Sequence, residues 1–249
     1  MIDITLGIPV YNSAPFVDEL FASLRRLSPA PAEIIFLDDA STDDSQSRVR
    51  NFIAECSGNV RLVCNESNLG IAGAYNRLVR EASSEWVQLL DCDDLIVESD
   101  FFARVAECMR DDIDLVVASL RSNAGALNFC ARTLAPFVPR QPPIWWPLLG
   151  SFATRAGVLY RRERLLALPF PDPAYPGSDI IHLLKLRSAG RCVYVRNATV
   201  FYRIHAHAQS SRARDYATYR SELLRWAPLV RHAHSLDLWM RQLGQWLAR

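Results

Sequence analysis

Apolar and polar positions alternate along this chain in a pattern that predicts strands and helices in turn. Short apolar runs typical of buried strands cover residues 4–10, 33–37, 60–64 and 86–90. Helical spacing of apolar residues follows the first three runs, over 14–27, around Val49 to Ile53, and over 72–81. Strands that alternate with helices are joined by right-handed crossovers, so this half predicts an α/β fold with a mostly parallel central sheet and helices on both faces.

The second half of the chain is less regular. Its pattern predicts helices over 101–109 and 178–188, a further strand of the same sheet over 114–119, and strands over 192–195 and 198–202. Residues 121–150 hold five prolines around the pair Trp145-Trp146, which argues against a regular helix or central strand and favours a functional loop. From residue 215 onward, leucine and tryptophan residues predict a C-terminal helical extension.

Composition narrows the class of protein. The chain has 249 residues, half of them hydrophobic, which is enough for a substantial core. Its net charge of +1 and the lack of a basic run argue against a nucleic-acid partner. The six cysteines form no Cys-x-x-Cys pair, which indicates reduced thiols. The first residues lack the features of a signal peptide and no apolar run is long enough for a bilayer span, so we expect a cytoplasmic protein with at most peripheral membrane contact.

The most informative polar cluster is Asp91-Cys92-Asp93-Asp94, directly after the run 86–90. Carboxylates gathered in one place repel one another and raise each other's pKa values, so such a cluster favours a bound cation. Asp91 and Asp93 are two residues apart, and in an extended chain their side chains point to the same side. A divalent ion with its phosphate ligand fits that arrangement. A solvated acidic turn is the alternative on this cluster alone.

Four motifs, each at the end of a predicted strand, resemble family two of the glycosyltransferases. They are Ile8-Pro9-Val10-Tyr11-Asn12, Leu37-Asp38-Asp39-Ala40-Ser41-Thr42-Asp43, Asn68-Leu69-Gly70 with Asn76, and Leu90-Asp91-Cys92-Asp93-Asp94. In the second half, Gly177-Ser178-Asp179 is similar to the family's acidic pair and Tyr202-Arg203-Ile204-His205 to its histidine motif. Two departures are Ser178, where the family has its first acid, and residues 121–150, which match none of its motifs.

The resemblance implies a GT-A fold with a Rossmann-like sheet and a catalytic domain over 1–210. Residues 1–120 would bind the nucleotide sugar, residues 121–210 the acceptor, and 211–249 would form the helical extension. It also implies Mn²⁺ or Mg²⁺ at Asp93 and His205, and Asp179 as the general base of an inverting transfer. In this family the donor is most often a UDP-sugar. The residues that would contact it are Pro9, Val10, Tyr11, Asp38, Asp39, Asn68, Gly70, Asn76, Asp91, Cys92 and Arg203.

The acceptor is expected to be a saccharide or a lipid-linked saccharide of cell-surface polysaccharide or glycoconjugate synthesis. Trp145 and Trp146 are candidates to stack on its sugar rings, with core or interface packing as the alternative. The C-terminal tryptophans and arginines fit an anionic membrane surface, or packing on the chain's own domain or on a second subunit of a homodimer.

Several of these assignments have structural alternatives. Asp38, Asp39 and Asp179 suit helix capping, and a lone histidine such as His205 often has a structural role. At the level of the whole chain, Ser178 keeps open a non-catalytic protein of the same fold that binds nucleotide sugars or acts as a scaffold. A nucleotidyltransferase is disfavoured, since Pro9-Val10-Tyr11-Asn12 stands where such enzymes carry a glycine-rich basic loop.

Overall fold

The protein is built on one eight-stranded sheet. The structure, a computed structural model, describes residues 2–123, 155–172, 174, 178–205 and 221. The strand order is β3-β2-β1-β4-β7-β6-β8-β5, and four of the neighbouring pairs are parallel, β1 with β2 and β4, β2 with β3, and β6 with β8. The strands are β1 (Ile2–Val10), β2 (Pro31–Asp38), β3 (Val60–Cys64), β4 (Trp86–Leu89), β5 (Leu95–Ile96), β6 (Leu115–Ser122), β7 (Val158–Arg161) and β8 (Cys192–Tyr202).

Helices cover both faces of the sheet, as the sequence predicts. They are α1 (Val17–Arg25), α2 (Ser45–Glu55), α3 (Gly70–Glu81), α4 (Phe101–Ala106), α5 (Arg162–Ala167) and α6 (Ser178–Ala189). One core cluster packs α1, α2 and α4 on the sheet, and a second packs α3, α5 and α6 on the opposite face. Among the described helices none is long and apolar enough to cross a bilayer.

The order of the strands places a switch point between β1 and β4. The chain moves outward from β1 to β2 and β3, and then crosses back to lay β4 on the other side of β1. In open α/β sheets, ligands bind in the crevice at the carboxyl ends of the strands where this reversal occurs. The polar motifs after β1 and β4 lie there.

Some expected boundaries differ from the observed ones. The first helix begins at Val17 rather than at residue 14, and the helix that begins at Phe101 ends at Ala106. Residues 192–202 form one strand where two were expected, with a register shift against β6 between Ala118 and Ser119. Strands β5 and β7 and helix α5 were not foreseen. The expected loop 121–150 begins within β6, and its residues from 124 onward lie outside the described part, as do Trp145, Trp146 and most of the expected extension 211–249.

A buried carboxylate, Glu33, ties β1, β2 and β3 together at the end of the sheet opposite the polar motifs. Its Oε2 accepts hydrogen bonds from Thr5 Oγ1 (2.9 Å) and from Ser83 N and Oγ (3.1 and 3.0 Å), and its Oε1 pairs with Arg61 Nε (3.1 Å). Burial raises the pKa of Glu33, but the hydrogen bonds from Ser83, Thr5 and Arg61 outweigh it and hold the pKa below its ordinary value. The ionised form is therefore the one that stabilises the fold.

We expect Glu33→Gln to lower the free energy of unfolding by about 2–4 kcal/mol at pH 7, because it leaves Arg61 and the hydroxyl donors without their anion. The loss should shrink as pH falls below about 4.3, since a carboxylate with a lowered pKa stabilises only above its unfolded pKa. Urea unfolding at pH 7 and pH 3.5 measures both effects. The control is Glu55→Gln, which breaks an exposed pair with Arg25 and should cost about 1 kcal/mol or less. Equal losses for both variants would contradict the assignment.

Candidate active site

The polar motifs meet at the carboxyl ends of β1, β2 and β4, where backbone turns are sharp. Asn12 and Ala40 follow β1 and β2 with positive φ angles of 47° and 61°, a conformation that residues other than glycine rarely adopt. Asn12 Oδ1 accepts a hydrogen bond from Thr42 N (2.8 Å), and Asn12 N donates to Ser41 Oγ (3.1 Å). The two loops are thus held against each other at the rim of the crevice.

The carboxylates of Asp91, Asp93 and Asp94 form a compact cluster just after β4. One oxygen from each lies within 4.8 Å of the others. Both oxygens of Asp91 already have partners, since Oδ1 accepts from the hydroxyl of Tyr75 and Oδ2 pairs with Arg155 Nη2 at 2.6 Å. Asp91 is therefore held in place by protein groups on both sides.

Asp93 and His205 come from distant parts of the chain and are in contact. His205 Nε2 donates to Asp93 Oδ2 at 2.9 Å, and the imidazole packs on the ring of Phe16 with 4.6 Å between centroids. Burial and the charge of Asp91 raise the pKa of Asp93, although the hydrogen bond from His205 acts in the opposite direction. The two residues that the resemblance assigns to the metal thus lie together.

Asp94 is a member of the cluster that the sequence analysis did not select. It is 1% exposed, and its Oδ1 accepts a hydrogen bond from Arg203 N at 3.0 Å. Its Oδ2 is buried and has no partner among the described residues. Burial and the neighbouring charges of Asp91 and Asp93 raise the pKa of Asp94 well above its ordinary value. A buried carboxylate oxygen without a partner costs folding free energy. The sequence signal that could have identified Asp94 is its place in the acidic motif.

These groups fit a divalent cation. Carboxylate oxygens are the ligands of Mg²⁺ and suit Mn²⁺, and imidazole nitrogen is an accepted ligand of divalent transition metals. One oxygen each of Asp91, Asp93 and Asp94 lies close enough to share an ion, and His205 pairs with Asp93 beside them. The unpaired Oδ2 of Asp94 is the observation that most favours a cation here.

The acidic pair after β2 has two different environments. Asp38 is buried and supports its own loop, with Oδ2 accepting from Gln46 Nε2 at 3.0 Å. Asp39 Oδ1 accepts from Asn65 Nδ2 (2.5 Å) and from Leu69 N (2.9 Å). In the described part of the chain, no hydrogen bond is made to Asp39 Oδ2. Asp39 therefore keeps one acceptor oxygen, whereas Asp38 accepts from Ser41 N and Gln46 Nε2 and is not the N-cap of α2, which is Asp44.

Other predicted donor contacts divide into exposed and buried positions. Tyr11 is half exposed and Asn68 and Gly70 are exposed, so a ligand can reach all three. Pro9 and Val10 are buried within β1, and Cys92 is a buried thiol that donates to the Pro9 carbonyl at 3.2 Å. These last three residues shape the crevice from below.

Asn76 has a structural role that the sequence did not reveal. Its amide nitrogen donates to the Phe170 carbonyl (2.9 Å) and its oxygen accepts from Phe170 N (2.8 Å). Nearby, His182 Nε2 donates to the Leu168 carbonyl at 2.8 Å, and its ring lies 4.1 Å from that of Phe170. Burial lowers the pKa of His182 to about 4, so the ring is neutral at pH 7. Asn76 and His182 together fix the segment 168–170 against α3 and α6.

The guanidinium of Arg203 is bound by protein groups. Its Nε donates to the Asp93 carbonyl at 3.0 Å, and one terminal nitrogen pairs with Glu19 of α1. Its backbone holds Asp94. Arg203 therefore anchors the histidine motif to the acidic cluster.

Asp179 and Ser178 begin α6, with Asp179 partly exposed and Ser178 buried. Asp179 interacts electrostatically with Arg155, the residue that pairs with Asp91. Arg155 was not selected from the sequence, because it follows the irregular segment and belongs to no motif. Asp38 and Asp39 lie at the end of β2, on the far side of β1 from β4.

Comparison with known proteins agrees with this architecture. Residues 5–166 match the sequence profile of a family described as Glycosyl transferase family 2. Glycosyltransferase GlyG of Streptococcus pneumoniae is 27% identical over 116 residues, 47% of this chain and 38% of that protein. The UDP-Glc:alpha-D-GlcNAc-diphosphoundecaprenol beta-1,3-glucosyltransferase WfgD of Escherichia coli is 24% identical over 113 residues, 45% of this chain and 44% of that protein. The chain thus matches less than half the length of either relative.

Two solved structures share the fold at low identity. TarS 1-349 of S. aureus, in complex with UDP-GlcNAc, has a TM-score of 0.72 and 18% identity over 90% of this chain and 66% of that one. Mannosyltransferase PcManGT of Pyrobaculum calidifontis, in complex with GDP-Man and Mn²⁺, has a TM-score of 0.70 and 20% identity over 98% of this chain and 71% of that one. Both have the GT-A fold that the motifs predict. The chain belongs to glycosyl transferase family 2.

Proposed function

We propose that this protein transfers a sugar from a nucleotide diphosphate donor to a hydroxyl group of an acceptor, with inversion at the anomeric carbon. The observation that carries the proposal is the cluster of Asp91, Asp93 and Asp94, with one buried carboxylate oxygen unpaired, at the switch point of the sheet. Without a bound cation, that buried oxygen has no partner among the described residues. Family membership makes a nucleotide sugar with its metal the ligand that best explains the cluster.

We propose UDP as the donor nucleotide on its frequency in the family, with dTDP and GDP as the alternatives. Asp39 Oδ2 is an acceptor without a partner among the described residues, and a carboxylate selects a base that presents an imide N–H. Tyr11 and Leu69, 50% and 43% exposed, provide apolar surface near it. A UDP-sugar is bound in the TarS structure and named in the WfgD activity, while GDP-Man is bound in PcManGT.

We assign Asp93, Asp94 and His205 to a bound Mn²⁺ or Mg²⁺. Such an ion supplies Lewis-acid stabilisation of the departing diphosphate. Asp91, held by Tyr75 and Arg155, is oriented to accept hydrogen bonds from hydroxyls of the donor sugar. PcManGT and the glucosyl-3-phosphoglycerate synthase of Mycobacterium tuberculosis, another protein with this fold, were both solved with Mn²⁺.

Asp179 is the general base of the proposal. Its carboxylate is partly exposed at the start of α6, so an acceptor hydroxyl can reach it and lose its proton as its oxygen attacks. A single displacement from the face opposite the diphosphate inverts the anomeric centre. One base is sufficient for that reaction.

The acceptor we propose is a saccharide or a lipid-linked saccharide of cell-surface glycoconjugates. Two relatives have names of this kind, the diphosphoundecaprenol-specific WfgD and a processive diacylglycerol beta-glycosyltransferase of Mycoplasma pneumoniae, 25% identical over 116 residues. We also propose that the protein acts on the cytoplasmic face of a membrane, with peripheral contact, and that it forms a homodimer. Trp145 and Trp146 remain candidates for acceptor contacts.

The competing function is a non-catalytic protein that binds nucleotide sugars or acts as a scaffold. It is favoured by Ser178, which replaces the first acid of the pair and is 8% exposed. Such a protein would bind the donor without consuming it. The two functions are therefore separated by turnover and not by affinity.

A donor panel tests the proposal directly. Purified protein with Mn²⁺ is incubated with UDP-, GDP- and dTDP-sugars, and the release of nucleoside diphosphate is measured with and without EDTA. Transferases often use water slowly as the acceptor, so we expect release from at least one donor, strongest for a UDP-sugar and abolished by EDTA. Calorimetric binding of UDP-sugars and Mn²⁺ without any release would favour the scaffold, and no binding of either would overturn both functions.

A further inference from the structure

Arg155 lies at the centre of the candidate active site, although no sequence motif contains it. It opens a single 3₁₀ turn, Arg155–Gly157, that leads into β7. One terminal nitrogen is 2.6 Å from Asp91 Oδ2, and the guanidinium carbon lies 4.1 Å from the centre of the Tyr75 ring. The side chain is only 18% exposed, and its Nε–H has no hydrogen-bond partner among the described residues.

The charge of Asp179 also acts on the same guanidinium. Burial lowers the pKa of Arg155. The charge of Asp91, the Tyr75 hydroxyl and the charge of Asp179 raise it by more than burial lowers it, so the net pKa lies above its ordinary value. The cation is therefore permanent. It pairs with Asp91 on the donor side of the site, and the charge of Asp179, which we assign as the base, also acts on it.

A second buried arginine shows which features of Arg155 are general. Arg161 pairs with Glu85 and lies 5.0 Å from the centre of the Trp86 ring, and its side chain is 11% exposed. It has the same kinds of partner as Arg155, an acid and an aromatic ring. However, it sits at the amino-terminal end of β4, since it pairs with Trp86 in the sheet, and the acidic cluster is at the other end. What distinguishes Arg155 is its ion pair with Asp91 of the acidic cluster.

We propose that Arg155 is a positioning residue for sugar transfer, which holds Asp91 of the donor site in place through one planar cation. This inference rests on the proposed function. A guanidinium presents several N–H groups in a rigid plane, so it can hold Asp91 with one edge and direct its remaining donors toward a second group. The unpaired Nε–H is available for a hydroxyl of the sugar when the site is filled.

Nucleotide affinity and turnover should depend on different residues of this site. The nucleotide and its diphosphate belong to Asp39, Tyr11 and the ligands of the metal. In the described part of the chain Arg155 makes no hydrogen bond or ion pair with any of these residues, although its charge acts on Asp94. Loss of Arg155 should therefore leave the affinity for a nucleoside diphosphate intact. It should lower turnover, because misplacement of reacting groups by about 1 Å costs on the order of 10²-fold in rate.

The experiment compares Arg155→Gln, Arg155→Lys and Arg161→Gln with the wild type. Turnover is measured with the fastest donor among UDP-glucose, UDP-N-acetylglucosamine and GDP-mannose, and binding is measured calorimetrically with UDP and Mn²⁺. We expect Arg155→Gln to lower kcat about 10²-fold with the Kd of UDP changed less than about threefold. Arg155→Lys should recover part of the loss, because it keeps the charge without the planar fork. Arg161→Gln should lower the Tm and leave kcat near the wild-type value.

Each contrary outcome has a definite meaning. A wild-type kcat in Arg155→Gln, equal losses of kcat in Arg155→Gln and Arg161→Gln, or a loss of UDP affinity in proportion to kcat would overturn the positioning role. If Arg155→Gln fails to fold, Arg155→Lys decides alone, and an unchanged kcat overturns the role. A wild-type protein that turns over none of the donors would overturn the proposed function first, and the role of Arg155 with it.

Discussion

Asp179→Asn should lower the rate of sugar transfer by about 10²–10⁴-fold, the range that a general base contributes. The change keeps the shape of the side chain but removes its ability to take a proton. Asp179 lies at the start of α6 and is assigned to the acceptor, not to the nucleotide or the metal, so the affinity for UDP with Mn²⁺ should stay within about threefold of the wild type. Steady-state kinetics with calorimetry of UDP binding would measure both.

The control must separate catalysis from the stabilising effect of an acid at a helix N-terminus, which is worth about 0.3–1 kcal/mol. Glu163 is an acid in the first turn of α5, as Asp179 is in α6. Glu163→Gln should therefore reproduce the small loss of stability without a loss of turnover. If Asp179→Asn transfers sugar at the wild-type rate, or if both variants lose activity equally, Asp179 is a capping residue and the base lies elsewhere.

The first half of the fold could be predicted because its elements are regular. The strands β1 to β4 are continuous apolar runs and the helices between them show clear periodicity, so that local pattern and tertiary structure agree. The motifs at the ends of these strands were predictable for the same reason, since parallel strands bring their carboxyl ends to one edge. The sequence thus places Asp39, Asp91 and Asp93 near the switch point.

The second half could not be predicted as well, because its elements are short and depend on partners distant in sequence. Strand β5 has two residues and pairs with β8, and β7 has four residues and pairs antiparallel with β4 and β6. Such strands are fixed by tertiary contacts, which local patterns do not record. Arg155 was missed for the same reason, since only the fold places it beside Asp91.

Side-chain partners within the site were also beyond the sequence. Asn76 reads as a donor contact from the resemblance, yet its amide makes two hydrogen bonds to Phe170, 94 residues away. Arg203 was a candidate donor contact, yet it pairs with Glu19 of α1. Whether a polar residue faces a ligand or another part of the chain depends on packing between elements. Residue type and spacing alone do not decide it.

Substitution of Asp94 should change stability and function in opposite directions: the metal-free protein becomes more stable, while Mn²⁺ binding and turnover fall. Its pKa is raised by burial and by the charges of Asp91 and Asp93, so its ionised form destabilises the protein when no cation is bound. Because the folded pKa lies above the unfolded value, this cost is present at high pH and disappears as pH falls below about 3.9. Each unit of the shift corresponds to about 1.4 kcal/mol.

We therefore expect Asp94→Asn to raise the Tm of the metal-free protein at pH 7.5, by about 2–4 °C for each kcal/mol recovered, and to give no gain at pH 3.5. The amide oxygen can still accept the hydrogen bond from Arg203 N, so that contact survives. The same variant should bind Mn²⁺ at least about tenfold more weakly and lose most of its turnover, because a ligand of the ion is gone. Differential scanning calorimetry with and without Mn²⁺ measures the two effects in one series.

Asp114→Asn is the matched control, since Asp114 is a partly buried acid that pairs with Arg164 at 2.8 Å, far along the chain from the acidic motif. Its loss should lower the Tm at pH 7.5 and leave Mn²⁺ binding unchanged, the opposite of Asp94→Asn on both counts. If Asp94→Asn instead destabilises the metal-free protein and binds Mn²⁺ as tightly as the wild type, Asp94 is a structural residue. The cation would then depend on Asp93 and His205, and the unpaired oxygen of Asp94 would need another explanation.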